Sequence, residues 1–180
     1  PTECPFMSAI GTKSADNTYF EWAEVDLADP DTANRVIEGE SAPGTDAATN
    51  AVRLANYTQI SDKIVTVSDT NNRVNGVANA QTTAKQIAYK LKELKRDMEV
   101  AFVGVDKASV AGSAGTPRQL ASATSWISTN VNLGAGGTAS NGLGTNVYSA
   151  GTDRDFTEAM LTDVIEKCWV SGGAPTIIMA

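Results

Sequence analysis

At 180 residues and 42% apolar side chains, the chain suffices for one domain with an extension and excludes wholesale disorder. Its net charge of -7, with lysines and arginines scattered outside one helix, argues against direct nucleic-acid binding, which draws affinity from phosphate neutralisation. Histidine is absent, which removes Ser-His-Asp and Cys-His catalysis, histidine general bases and histidine metal sites from these residues.

Residues 1–17 read as an arm with little regular structure. Phe6, Met7 and Ile10 are its apolar anchors, able to dock on the arm's own domain or on a neighbour. TYFEWAEVDL, residues 18–27, predicts a strand with Phe20 and Trp22 on one face. AVRLANYTQISDKIVTVS, residues 51–68, predicts a second strand, long enough to require a bend near Ser61-Asp62. Between them, residues 29–50 are polar and acidic, with Pro30, Gly39, Pro43 and Gly44. Connections above about 12–15 residues are uncommon in compact domains. The expected object is therefore an extended β-arm that either waves in solvent or lies on something else.

After polar turn material at 69–81 comes the strongest helix pattern, TTAKQIAYKLKELKRDMEVAFV, residues 82–103. Thr83 with Gln86 fits a capping box. Ala84, Ile87, Ala88, Leu91, Leu94, Met98, Ala101, Phe102 and Val105 predict one buried stripe. Lys90, Lys92, Glu93, Lys95, Arg96, Asp97 and Glu99 fall on the solvated side. Such a helix spans roughly 33 Å and ends at Gly104 or soon after.

Residues 116–131 predict a short helix around Trp126. Residues 132–151 hold Gly134, Gly136, Gly137, Gly142, Gly144 and Gly151 and read as a flexible surface loop. A last helix is predicted over Thr157–Val170, with Asp155 and Glu158 as a capping box and Met160, Leu161, Val164, Ile165, Cys168 and Trp169 as its stripe. Gly172 and Gly173 stop it, and Thr176–Met179 reads as a strand with no return partner. With no starting Met either, the expectation is a piece of a longer protein.

Chemistry-bearing patterns are weak. Gly134-Ala135-Gly136 with Ala139 loosely fits a dinucleotide turn, but no helix pattern comes after it. Asp153, Asp155 and Glu158 lack the glycine and later acid of a calcium loop. Asp26, Asp29 and Asp31 sit on the polar arm, where nothing separates their pKa values. Cys4 and Cys168 have no metal spacing and read as free thiols in a reducing cytosol. Asn56-Tyr57-Thr58 matches a glycosylation sequon inside a strand, which marks chance. No apolar run reaches the length of a membrane span.

The phrases PTECPFMSAIG, NTYFEW, EGESA, RLANYTQISDKIVTVSDT, KELKRDME and FTEAMLTDVIEKCWVSGGAPTIIM occur in this order. Together they resemble tailed-phage major capsid (major head) proteins of the Hong Kong 97 fold, in their DUF-type, SU-ten-like group. The resemblance implies an α+β fold of that type. Residues 1–17 would be the N-terminal arm, and residues 18–68 the extended β-arm with flanking strands. The tip of that arm, near 31–50, would lie over an adjacent subunit. Residues 69–155 would form the peripheral domain, with spine helix 82–103 and glycine-rich loop 132–151. Residues 156–180 would begin a truncated axial domain.

It further implies a structural shell protein, not an enzyme, with no cofactor or metal and no membrane partner. Its partners would be copies of itself in pentamers and hexamers, with scaffold, portal and decoration proteins. The shell would enclose double-stranded DNA without sequence-specific binding, and the acidic charge would keep its wall from sticking to that DNA. The place would be the virion capsid, and the host cytoplasm during assembly. Candidate inter-subunit contacts are Phe6, Met7, Arg35, Glu38, Glu40, Asp46, Arg53, Lys92 and Arg96. The competing readings are an encapsulin-like shell without a genome, an enzyme whose site lies in a missing C-terminal part, and a binding module using 29–50 as its ligand loop.

Overall fold

The computed structural model describes residues 3–39, 41, 48–73 and 83–179. The chain is a mixed α+β structure. In order it holds helix α1 (Pro5–Ala9), strands β1 (Tyr19–Glu24) and β2 (Val52–Tyr57), helix α2 (Asp69–Arg73) and helix α3 (Thr83–Glu99). A π turn (Val100–Gly104), a 3-10 turn (Ala123–Ser125) and helix α4 (Glu158–Val170) complete it.

β1 and β2 pair antiparallel, with Tyr19 opposite Tyr57, Trp22 opposite Leu54 and Glu24 opposite Val52. The alternation read in the sequence is realised: Phe20 and Trp22 share a face, their rings 5.8 Å apart. A two-stranded ribbon is marginal alone, so it needs packing behind it. Trp126 supplies that, its ring 5.0 Å from Trp22, and Leu54 beside Trp22 is buried. Asn56 Oδ1 accepts the Ala121 amide at 3.0 Å, which ties β2 to the chain leading into the 3-10 turn.

The long strand expected over 51–68 stops earlier. Thr58 still donates to the Thr18 carbonyl at 2.9 Å, and ladder pairing then ends. The reason is the lack of a neighbouring strand among the described residues. Ile60 and Ile64 are left 81% and 80% exposed. The strand expected at 176–179 is likewise not formed, and Ile177 and Ile178 are exposed.

α3 and the π turn together run from Thr83 to Gly104, close to the expected helix. Thr83 is the first helical residue, one position inside the N-cap place that the Thr83–Gln86 box gives it, and residue 82 lies outside the described residues. The buried stripe is only half realised. Leu94, Met98, Ala101 and Phe102 are half-buried, while Ala84, Ile87, Ala88, Leu91 and Val105 stay exposed. The stripe is covered only where α3 meets the rest of this chain.

Three further expectations change. Residues 5–9 of the arm are helical, because Pro5 sits at the first position, where its fixed φ suits a helix. The capping box at Asp155 and Glu158 does not form: Thr157 is the N-cap of α4 and makes no side-chain cap bond. The glycine-rich loop is folded. Thr138 and Ser149 exchange both backbone hydrogen bonds at 3.0 and 2.8 Å, and Gly134 donates to Ala150 at 2.8 Å. Ser109 donates to Gly144 at 2.8 Å, which closes the loop onto the chain after the π turn.

The core is thin. Among the described residues only Leu54 and Ala121 are apolar and buried. The chain exposes 14148 Å², where a compact monomer of 18.8 kDa exposes about 8,300 Å².

Candidate functional site

No described cluster of three or more His, Cys, Asp or Glu residues stands ready for a metal. No described helix is long and apolar enough to cross a membrane. Asp26, Asp29 and Asp31 are exposed, and Asp31 spends a carboxylate oxygen on the Ala33 amide at 2.8 Å, a local turn. The Gly134–Ala139 segment folds back on Ala150 and Thr152 and leads into no helix, so it lacks the helix N-terminus that a pyrophosphate site needs. The features that remain are surfaces and the contacts that hold them.

The first is the arm root. Pro5 has no N–H, so Phe6 and Met7 carry the first free amides of α1. Cys4, the N-cap residue, makes no side-chain cap bond. The cap comes instead from α3. Glu99 Oε1 accepts the Phe6 amide at 2.6 Å and Oε2 accepts the Met7 amide at 2.9 Å. The Glu99 residue is only 8% exposed, and the rings of Phe6 and Phe102 lie 6.0 Å apart. A carboxylate at helical amides makes strong, charge-assisted bonds. Glu99 was expected on the solvated side because its sequence neighbours are charged. Its partner lies 93 residues away, and Pro5 at a helix start was the one signal pointing to it.

The second is the ribbon. Arg53 lies on β2, with its guanidinium 3.6 Å from the carboxylate of Glu21 on β1. Both are well exposed, so the pair adds little stability. On the same face the rings of Tyr19 and Tyr57 are 4.6 Å apart. Arg35 and Glu38 are exposed in the tip, and Glu40 and Asp46 lie outside the described residues.

The third is the outer face of α3. Lys92 and Arg96, one turn apart, are both exposed. Nearby cations are paired: Lys63 meets Asp97 at 2.5 Å and Lys90 meets Glu93 at 2.7 Å. The hydrogen bond that Lys63 donates to the Asp97 carboxylate holds its ammonium pKa above the usual value.

The fourth is α4, fixed by a polar knot the sequence did not reveal. Asp163 Oδ2 accepts from Lys167 at 2.6 Å and from Asn132 at 2.6 Å. Lys167 also donates to the Val131 carbonyl at 3.1 Å, and Arg154 donates to the Asn132 carbonyl at 2.6 Å. Lys167, then Asn132, hold the Asp163 carboxyl below its ordinary range. The other side of α4 is uncovered, and Trp169 is 71% exposed. The two cysteines, Cys4 and Cys168, are both free.

The structure therefore brings Phe6 and Met7 together with Glu99 in their own chain, and pairs Arg53 with Glu21. Arg35, Glu38, Lys92 and Arg96 stand on separate surfaces. The sequence model of the SU10 major capsid protein matches residues 1–180, the full length of the chain. The chain belongs to the SU10 major capsid protein family. The major capsid protein of Escherichia phage Phieco32 is 35% identical over 99 residues, which is 55% of this chain and 28% of that protein. The matched stretch is thus well short of that relative's length. Family membership makes this a structural bacteriophage major capsid protein chain, and the features described above are surfaces and the contacts that hold them.

Proposed function

We propose that this chain is part of a protein that self-assembles into the icosahedral head shell of a tailed bacteriophage, around its double-stranded DNA, on a Hong Kong 97-type fold. The single observation that carries the reading is the family match over the whole chain. The uncovered surface agrees with it. A chain with so thin a core and so much exposed apolar area gains its stability by burying that area against other chain segments and other subunits.

In this reading residues 1–17 are the N-terminal arm and 18–68 the extended arm, whose tip lies over an adjacent subunit. Residues 69–155 form the peripheral domain and 156–180 start the axial domain. Many weak contacts repeated by symmetry supply the affinity. Arg35, Glu38, Glu40, Asp46, Arg53, Lys92 and Arg96 are contacts between neighbours, and Phe6 and Met7 join them when the arm is released. Pentamers and hexamers form through the axial domain, with scaffold, portal and decoration proteins as further partners in the host cytoplasm. The acidic inner wall encloses DNA without gripping it.

The test is gradient sedimentation and negative-stain electron microscopy of the full-length protein expressed with its scaffold. Closed shells of even size, or hexameric sheets, are expected. A uniformly monomeric folded product would overturn the reading. Shells that hold cargo enzymes and never DNA would move it to an encapsulin-like compartment. Deleting residues 31–48 is expected to abolish shells while the subunit stays folded, and normal shells from that deletion would remove the role given to the arm.

A further inference from the structure

We propose that the docked N-terminal arm and the π turn after α3 are one two-state element, with the Glu99 carboxylate as its clasp. Glu99 is the last α-helical residue and Val100 the first of the π turn. The turn closes through the Val105 amide on the Val100 carbonyl at 3.1 Å, a wider ring than an α-helix makes. Such turns are uncommon and persist where their surroundings favour them. Here the surroundings are the arm. Glu99 takes the two amides of α1, and Phe102, inside the π turn, faces Phe6.

The two contacts demand one register. Returning the turn to α geometry rotates the facing of its later side chains by up to roughly 100° per residue of phase. Phe102 then swings from Phe6 while Glu99 keeps its place, and the arm loses half of its seat. Release of the arm has the converse effect: Glu99 is left buried without its donors, and the π turn loses the ring that favours it. Each state is therefore self-consistent and a mixed state is not, which makes the element bistable. In the docked state the Phe6 and Met7 amides are occupied within their own chain and closed to any neighbour. The geometry of this one chain is enough for such an element, whether or not shells form.

Hydrogen exchange with single-residue resolution on the full-length protein tests it. Glu99→Gln keeps the shape of the side chain and removes the charge. It is expected to speed exchange at Phe6 and Met7 by about tenfold to a hundredfold, with Val105 rising in step. Phe6→Ala leaves Glu99 in place and is expected to raise exchange at Val105 as well. The Thr58 amide, bonded to the Thr18 carbonyl, should hold its protection in both variants and so report an intact ribbon. Fast exchange of Phe6 and Met7 in the unaltered protein overturns the clasp. Freed arm amides with an unchanged Val105 overturn the coupling. If Glu99→Gln fails to fold, Phe6→Ala makes the same distinction alone.

Discussion

The Glu99 carboxylate accepts the Phe6 amide at 2.6 Å across a separation of 93 residues, so the end of one helix caps the start of another. Glu99→Ala would leave two amides and a hollow. Because a hydrogen bond to a charged group contributes about 1.5–3 kcal/mol, a loss of that order is expected in denaturant unfolding of the protein. Early proteolysis between residues 9 and 17 should accompany it. An unchanged midpoint with an intact arm would show that the arm is held by Phe6 packing alone.

Gly144 is fitted to Trp126. Its φ is +69°, and a Cβ added there would lie 2.4 Å from the indole ring. Gly136 has a similar φ of +74° with open space around it. The two separate backbone strain from overlap. Gly136→Ala should cost about 1 kcal/mol, the strain alone, and Gly144→Ala about 2–4 kcal/mol with a shifted Trp126 fluorescence. Equal losses at both positions would mean that the ring moves aside without cost.

Leu54 is the buried apolar residue beneath the ribbon, opposite Trp22 in register. Leu54→Ala is expected to lower stability by about 2–3 kcal/mol, the low end of core truncations because the surrounding cluster is open on one side. The ribbon should loosen first, seen as faster exchange at Thr58. A loss below about 0.5 kcal/mol would mark this site as surface-like.

The sequence made legible whatever repeats locally. The periods of α3 and α4 and the alternation at Phe20, Trp22 and Leu54 are short-range signals, and the structure holds them. The misreadings share one cause. Ile87 and Leu91 fit a helical stripe, yet a stripe states that a face is apolar, not that this chain covers it. Ile60 and Ile64 alternate as a strand does, but a ladder needs a second strand. Glu99 stands among charged neighbours, and its donors come from the other end of the chain. Thr157 replaced Asp155 as the cap of α4 because the helix begins later than the box requires. The family resemblance came from long phrases, which keep wording that no local period contains.

The knot on α4 gives a pH dependence with a definite sign. Lys167 and Asn132 both donate to Asp163, so its folded pKa lies below the ordinary value of 3.8. A lowered carboxyl pKa stabilises the folded state above the unfolded value, and that contribution is lost as pH falls through the folded value. Asp163→Asn keeps the size of the side chain and cannot titrate. The stability gap between the unaltered protein and this variant should therefore be constant above about pH 5. It should narrow as pH drops below 3.8, and close once the native carboxyl is protonated. Denaturant unfolding at a series of acidic pH values measures it. Parallel curves down to the lowest pH would mean that Asp163 titrates alike in both states, and that Lys167 is held by the Val131 carbonyl instead.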